Sequence, residues 1–166
     1  MKSRESTIQR LQSITLFGEL KDNPAALESI ARICSINRTA AGKRVIKEGE
    51  VGTSLYIMNA GSVEIHKHTR AGDEYTVVQL DAGDNVFFGE LALIDDDRRS
   101  ATVVTTSDAE FLVIEKKDFL ALGNAHPEIG LPVTRAIARI IAARLRKTTE
   151  DMLSIFDALV EEVQGS

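Results

Sequence analysis

The apolar positions change their period twice along this chain. Near the start, Ile8, Leu11 and Ile14 recur at helical spacing, and LFGEL at 16 to 20 makes a tight connecting turn. Leu27, Ile30, Ala31 and Cys34 then form a second helical stripe. Asn23-Pro24 opens that helix, because Asn caps free amides and Pro suits the first helical position. Helix is therefore expected over residues 6–36. From 42 to 114 the runs are short: VIKEGEVG, SLYIMN, SVEIHKH, YTVVQL, ATVVTTS and EFLVI, parted by Gly-, Asp- and Ala-containing turns. In SVEIH the alternation places Val63 and Ile65 on one face. Helix returns over 115–164, with DFLALGNAH as a short segment and Pro127 or Pro132 opening a long one. From Pro132 to Val163 it would span roughly 48 Å, more than the core of one small domain requires. The order implies an α+β fold. An antiparallel, jelly-roll-like β-roll of about eight short strands is flanked by N-terminal helices and a long C-terminal helix.

Composition narrows the class. The 166 residues suit one domain, and 43% hydrophobic residues are enough for a real core. A formal net charge of -5 argues against a broad basic face for nucleic acid, but not against a pocket for one small anion. Cys34 is the single cysteine, so an internal disulfide and a C-x-x-C metal site are both excluded; its apolar setting, SIARICSIN, suits a small buried hydrophobe. MKSRESTIQRLQS has no signal-peptide apolar run, and no segment approaches the roughly 18 to 20 apolar residues of a membrane helix. The expectation is a cytoplasmic protein with neither a nucleic-acid nor a membrane partner.

The stretch FFGELALIDDDRRSATV, residues 87 to 103, carries the chemistry. Gly89 has no Cβ, so backbone can approach a ligand closely there. GELALI reads as one or two helical turns whose leading amides attract phosphate. Glu90 is acidic at that same place, which suits an acceptor for sugar hydroxyls beside the phosphate. Arg99 offers a planar fork of donors matched to phosphate oxygens, and Ser100 and Ala101 are small enough to bring amides and a hydroxyl to the same anion. Neighbours on an extended strand point to opposite faces, so only one of Arg98 and Arg99 enters the pocket, and spacing does not choose between them. The bland reading, a Glu90–Arg99 surface ion pair, gives the small residues Gly89, Ser100 and Ala101 no role.

FGELALIDDDRRSATV resembles the phosphate-binding cassette of the cyclic nucleotide-binding domain family, whose pattern F-G-E-x-A-L, then R-(S/T/A)-A, falls on Phe88, Gly89, Glu90, Ala92, Leu93, Arg99, Ser100 and Ala101. The likeness extends through VIKEGEVGTSLYIMNAGSVEIHK, with turn glycines at Gly49, Gly52 and Gly61, and through LDAGD; it covers roughly residues 10 to 145. It implies a single cyclic nucleotide-binding domain over 1–166, with its cassette at 88–102. The domain would be a regulatory module rather than an enzyme, needing no cofactor. Carried over residue by residue, Glu90 takes the ribose 2′-hydroxyl and Arg99 the cyclic phosphate. The amides of Gly89, Leu91, Ala92 and Ala101 line the phosphate and Ser100 assists, while Arg98 falls on a variable position and faces out. Cyclic AMP is favoured over cyclic GMP, although the Ser100 hydroxyl suits either the phosphate or a guanine amino group. Two departures stand out: the added length before Gly89 implies a bulge near Asn85-Val86, and the Asp95-Asp96-Asp97 run brings negative charge near an anion site.

Two other readings compete. His66 and His68 share a strand face and resemble part of the first cupin motif, a metal-binding arrangement, but the spacings are off and a third ligand is missing. A ligand-free interaction or dimerisation module would instead use the last helix. There Ala138, Ile141, Leu145, Thr148, Met152, Ile155 and Leu159 make a seam of period 3.5, with Val133, Ile137 and Ile140 turned towards the roll. In the family the C-terminal helix closes over the base and commonly forms a dimer seam. The implied partners are thus a cyclic nucleotide, an effector protein and a second copy through this helix. Arg135, Arg139, Arg144, Arg146 and Lys147 fill its first half, and Glu150, Asp151, Asp157, Glu161 and Glu162 its second, so either any pairing is antiparallel or the helix folds back on its own domain. A DNA-reading helix-turn-helix after this helix is not expected before Ser166.

Overall fold

The computed structural model describes residues 2–69, 72–96 and 98–164; part of the RAGDE turn and the third aspartate of the acidic run, Asp97, lie outside them. Helix α1 (Lys2–Ser13) leads through a 3₁₀ segment (Thr15–Leu20) into α2 (Pro24–Ile33). The Asn23 side chain accepts from the Ala26 amide at 3.1 Å, the capping expected from Asn-Pro.

Eight antiparallel strands follow: β1 (Cys34–Thr39), β2 (Arg44–Ile46), β3 (Ser54–Ala60), β4 (Ser62–His68), β5 (Glu74–Asp81), β6 (Phe87–Phe88), β7 (Thr102–Thr105) and β8 (Ala109–Glu115). They form two four-stranded sheets, in the orders β1-β8-β3-β6 and β2-β7-β4-β5. In the first sheet, β3 and β8 are buried on both faces and so separate two cores. Leu55, Ile57, Leu112 and Ile114 turn to the helices, against Leu11, Phe17, Leu27, Ile30, Val133 and Ile137. Met58, Phe111 and Val113 turn into the roll, against Ile46, Val63, Phe88 and Val103. Alternation along β3 and β8 thus serves a core on each side.

The order of elements follows the sequence pattern, with two differences, and one open choice is decided. Cys34 does not continue the stripe of α2; its backbone is extended (φ -79°, ψ 132°) and it opens β1, so the strands begin inside the span expected as helix. Its thiol still packs inward, donating to the Ile30 carbonyl at 3.3 Å, and burial pushes it up to about 12. The two-residue β6 forms where only a turn was expected, paired with Tyr56 and Ile57. The long helix begins at the earlier proline.

Helix α3 (Lys116–Ala125) crosses α4 (Pro127–Gln164) where two glycines meet: a Cβ on Gly130 would lie 2.6 Å from the Gly123 Cα. Helix α4 has 38 residues, about 57 Å at 1.5 Å per residue. Pro132 sits in its second turn, near enough to the start that the lost donor does not break it. Glu19 of the 3₁₀ segment pins its base: hydrogen bonds from Arg135 and Arg139 hold this carboxylate down at about 2. No helix among the described residues is long and apolar enough to cross a membrane.

The expected bulge before the cassette is present. Asn85 adopts the left-handed conformation (φ 56°), ending a 3₁₀ turn at Ala82–Asp84. Arg10 reaches across from α1 to fix it, donating to Asn85 Oδ1 at 2.9 Å, to the Ala82 carbonyl at 2.5 Å and to the Met58 carbonyl. The N-terminal helix therefore holds the loop that leads into Gly89.

Candidate functional site

Phe88 anchors the start of the cassette. Its ring stacks on Tyr56 at 5.6 Å and meets Phe111 edge-on at 5.8 Å, fixing where the chain leaves β6. Gly89 then turns left-handed (φ 78°), and Glu90–Leu93 form a short 3₁₀ segment. Gly89, Glu90, Leu91, Ala92, Arg99, Ser100 and Ala101, the seven residues singled out in the sequence, all border one cavity of about 400 Å³. Its apolar wall comes from Ile46, Ile65, Phe88 and Val103. A cavity of this size and mixed character suits a small ligand.

Arg99 is seated by backbone rather than by a carboxylate. It donates to the Ser54 carbonyl at 2.8 Å and to the Gly89 carbonyl at 3.3 Å. Two glycines make room for it: a Cβ on Gly52 would lie 1.7 Å from Arg99 Nε, and one on Gly89 would lie 2.5 Å from Nη1. Gly89 was expected to give a ligand room; it also gives room to the arginine. Burial lowers the Arg99 guanidinium from its ordinary value, opposed by Tyr56, Glu115 and Glu90. Arg98 lies exposed, donates to the Gly49 carbonyl at 2.6 Å and touches the cavity rim.

Glu90 is only 2% exposed, and Arg99 is not its partner. Arg144 of α4 brings Nη1 within 2.6 Å of Glu90 Oε1. The two charges pair directly, although the N–H is not aligned as a hydrogen bond, so Glu90 Oε1 is held by an ion pair with α4.

The remaining features sort themselves by their neighbours. The Ala92 amide donates to the Gly89 carbonyl at 3.1 Å, so it closes the 3₁₀ turn and is not available to an anion in this arrangement. Of the acidic run, Asp95 borders the cavity, while Asp96 points to solvent and meets Lys116 Nζ at 2.6 Å. His66 Nε2 faces Glu64 at 3.1 Å and His68 Nδ1 faces Glu48 at 3.0 Å, so the two imidazoles serve different carboxylates. Among the described residues no group of three or more potential ligands could hold a metal.

Two cations of the cavity wall, Arg144 and Lys67, were not read as site residues in the sequence. Arg144 lies 54 residues beyond Glu90, and nothing local in the helix marks it. Lys67 did leave a signal: it continues the Val63, Ile65 face of β4.

Comparison with known proteins gives consistent results. A family model described as "Cyclic nucleotide-binding domain" matches residues 36–126. The cyclic AMP receptor protein of Thermus thermophilus is 34% identical over 119 residues, which is 70% of this chain and 52% of that protein. Isozyme 1 of the cGMP-dependent protein kinase of Drosophila melanogaster is 31% identical over 121 residues, covering 71% of this chain and 15% of the kinase. The crystal structure of the Thermus thermophilus catabolite activator protein superposes with a TM-score of 0.72 at 28% identity, over 83% of this chain and 61% of that one. The chain spans about half the length of the bacterial receptor it matches.

Proposed function

The chain belongs to the cyclic nucleotide-binding domain family, a family of regulatory ligand-binding domains, and from that premise we propose that it binds a purine 3′,5′-cyclic monophosphate in the cassette cavity. Glu90 accepts the ribose 2′-hydroxyl. Arg99 takes the cyclic phosphate, with the amides of Gly89, Leu91 and Ala101 and the Ser100 hydroxyl around it. The Ala92 amide joins them only if the 3₁₀ turn opens. The observation that carries this reading is the buried carboxylate of Glu90, met by Arg144 of α4 and bordering the same cavity as a backbone-seated arginine. A ribose hydroxyl donates to that carboxylate, and a cyclic phosphate supplies the anion for Arg99.

Cyclic AMP is the first choice and cyclic GMP the second, since relatives named for each are similar to this chain. The output is movement of α4 towards an effector protein, without catalysis by the chain itself. What supports this is the Arg144 contact, which joins the cavity to α4 just before its exposed half. A hydroxyl donating to Glu90 competes with Arg144 for the same oxygen, so the nucleotide shifts the helix through its differential contact with two states.

Isothermal titration of the chain, freed of carried-over nucleotide, tests the reading. One nucleotide should bind saturably, and Arg99→Ala should weaken it by at least about a hundredfold, the scale of charge-assisted hydrogen bonding between a guanidinium and a phosphate. Absence of heat with both nucleotides, and an unchanged melting temperature, would overturn it and leave α4 as the working part of a ligand-free interaction module.

A further inference from the structure

Among the described residues, four cations border the cavity, Lys67, Arg98, Arg99 and Arg144, against two carboxylates, Glu90 and Asp95. In a chain of net charge -5 this local surplus of two positive charges calls for an explanation. Three of the four have protein acceptors. Arg99 bonds to Ser54 and Gly89, Arg98 to Gly49, and Arg144 faces Glu90. Lys67 is half-buried and has no hydrogen bond or ion pair among the described residues. The carboxylate that feels its charge, Glu48, is already taken: its Oε2 accepts from the His68 amide at 3.1 Å and faces His68 Nδ1 at 3.0 Å.

The strand register shows where Lys67 points. β4 pairs with β7 through Ile65↔Val103 and His66↔Thr102, so the next step along β4 brings Lys67 level with Ala101. Ile65, Val103, Lys67 and Ala101 all border the cavity. Neighbouring strands lie about 4.8 Å apart, and a lysine stem spans that distance with room to spare. Its ammonium therefore reaches an anion seated against Arg99, Ser100 and Ala101.

We propose that Lys67 is a second phosphate-binding cation, sharing with Arg99 the two exocyclic oxygens of the cyclic phosphate. This rests on the reading of the cavity as a cyclic nucleotide site and adds to it a residue outside the cassette. An ammonium acts as a point charge, so its contribution is indifferent to the base. A lysine that read the base would instead favour guanine, whose O6 and N7 are both acceptors, over adenine, which offers the N6 amino donor.

The test titrates wild type, Lys67→Met and Lys67→Arg with cyclic AMP and cyclic GMP at low and physiological salt. Methionine keeps the apolar stem and removes the charge. It should weaken every nucleotide that binds wild type by the same factor, roughly three- to tenfold, as befits a half-exposed charge contact. It should also flatten the salt dependence, and arginine should restore affinity to within about twofold. Unchanged affinity in Lys67→Met would overturn the proposal, and so would a loss confined to one base. Failure of wild type to bind either nucleotide would overturn the cyclic nucleotide reading itself, which is a distinct result.

Discussion

The two glycines beside Arg99 differ in what they would tolerate. Gly89 has a positive φ and Ser54's carbonyl 2.8 Å from the position of a Cβ, so alanine there strains the backbone itself. Gly52 has no positive φ, and the nearest atoms its added Cβ would meet belong to the head of the Arg99 side chain. Side chains yield more easily than backbone. Gly52→Ala should therefore cost the fold about 1–3 kcal/mol, the range for overpacking, while pushing the guanidinium off the Ser54 carbonyl. Nucleotide affinity should fall tenfold or more, as measured by titration beside a thermal melt. A variant that binds normally would show that the Arg99 seat is not needed. The turn glycines and the cassette were legible in the sequence because each sits at a fixed offset from a strand end. Arg144 was not, because only the packing of α4 brings it to Glu90.

At the scale of elements, the strands that the sequence missed share a cause. β1 reads CSINRT; it is an edge strand held by β8 alone, and residues 35 to 38 are exposed on both faces. A strand with no buried face leaves no alternation to find. β6 has two residues, too few for any period. The charge sorting along α4, from which antiparallel pairing was expected, has a different use in the structure. Arg135 and Arg139 are held by Glu19, and Arg144 faces Glu90, so three of the five basic residues have partners in their own chain. Most of the electrostatic case for antiparallel pairing is thereby removed. The apolar strip remains: Leu145, Met152, Ile155, Phe156 and Leu159 are all more than half exposed. Such a strip argues for a homodimer through α4. Light scattering should give twice the chain mass, and Ile155→Glu with Leu159→Glu should halve it while the roll stays folded. A wild-type monomer at high protein concentration would rule that dimer out.

The molecule as a whole runs as one chain of contacts from its first helix to its last. Arg10 fixes the loop at Asn85, that loop delivers Phe88 and Gly89, Gly89 makes room for Arg99, and Glu90 meets Arg144. Beyond Arg144 the helix leaves the body of the protein. On the proposed reading, a ribose hydroxyl would meet Glu90 where Arg144 of α4 reaches the cavity. The measurement that tests this most directly is a paired titration with cyclic AMP and its 2′-deoxy analogue, on wild type and on Glu90→Gln. Wild type should prefer the ribose form by tenfold or more, the scale of a hydrogen bond to a buried carboxylate, and Glu90→Gln should lose most of that preference. Equal affinity of wild type for the two ligands would contradict the assignment of Glu90 to the ribose, and with it the route from the cavity to the helix.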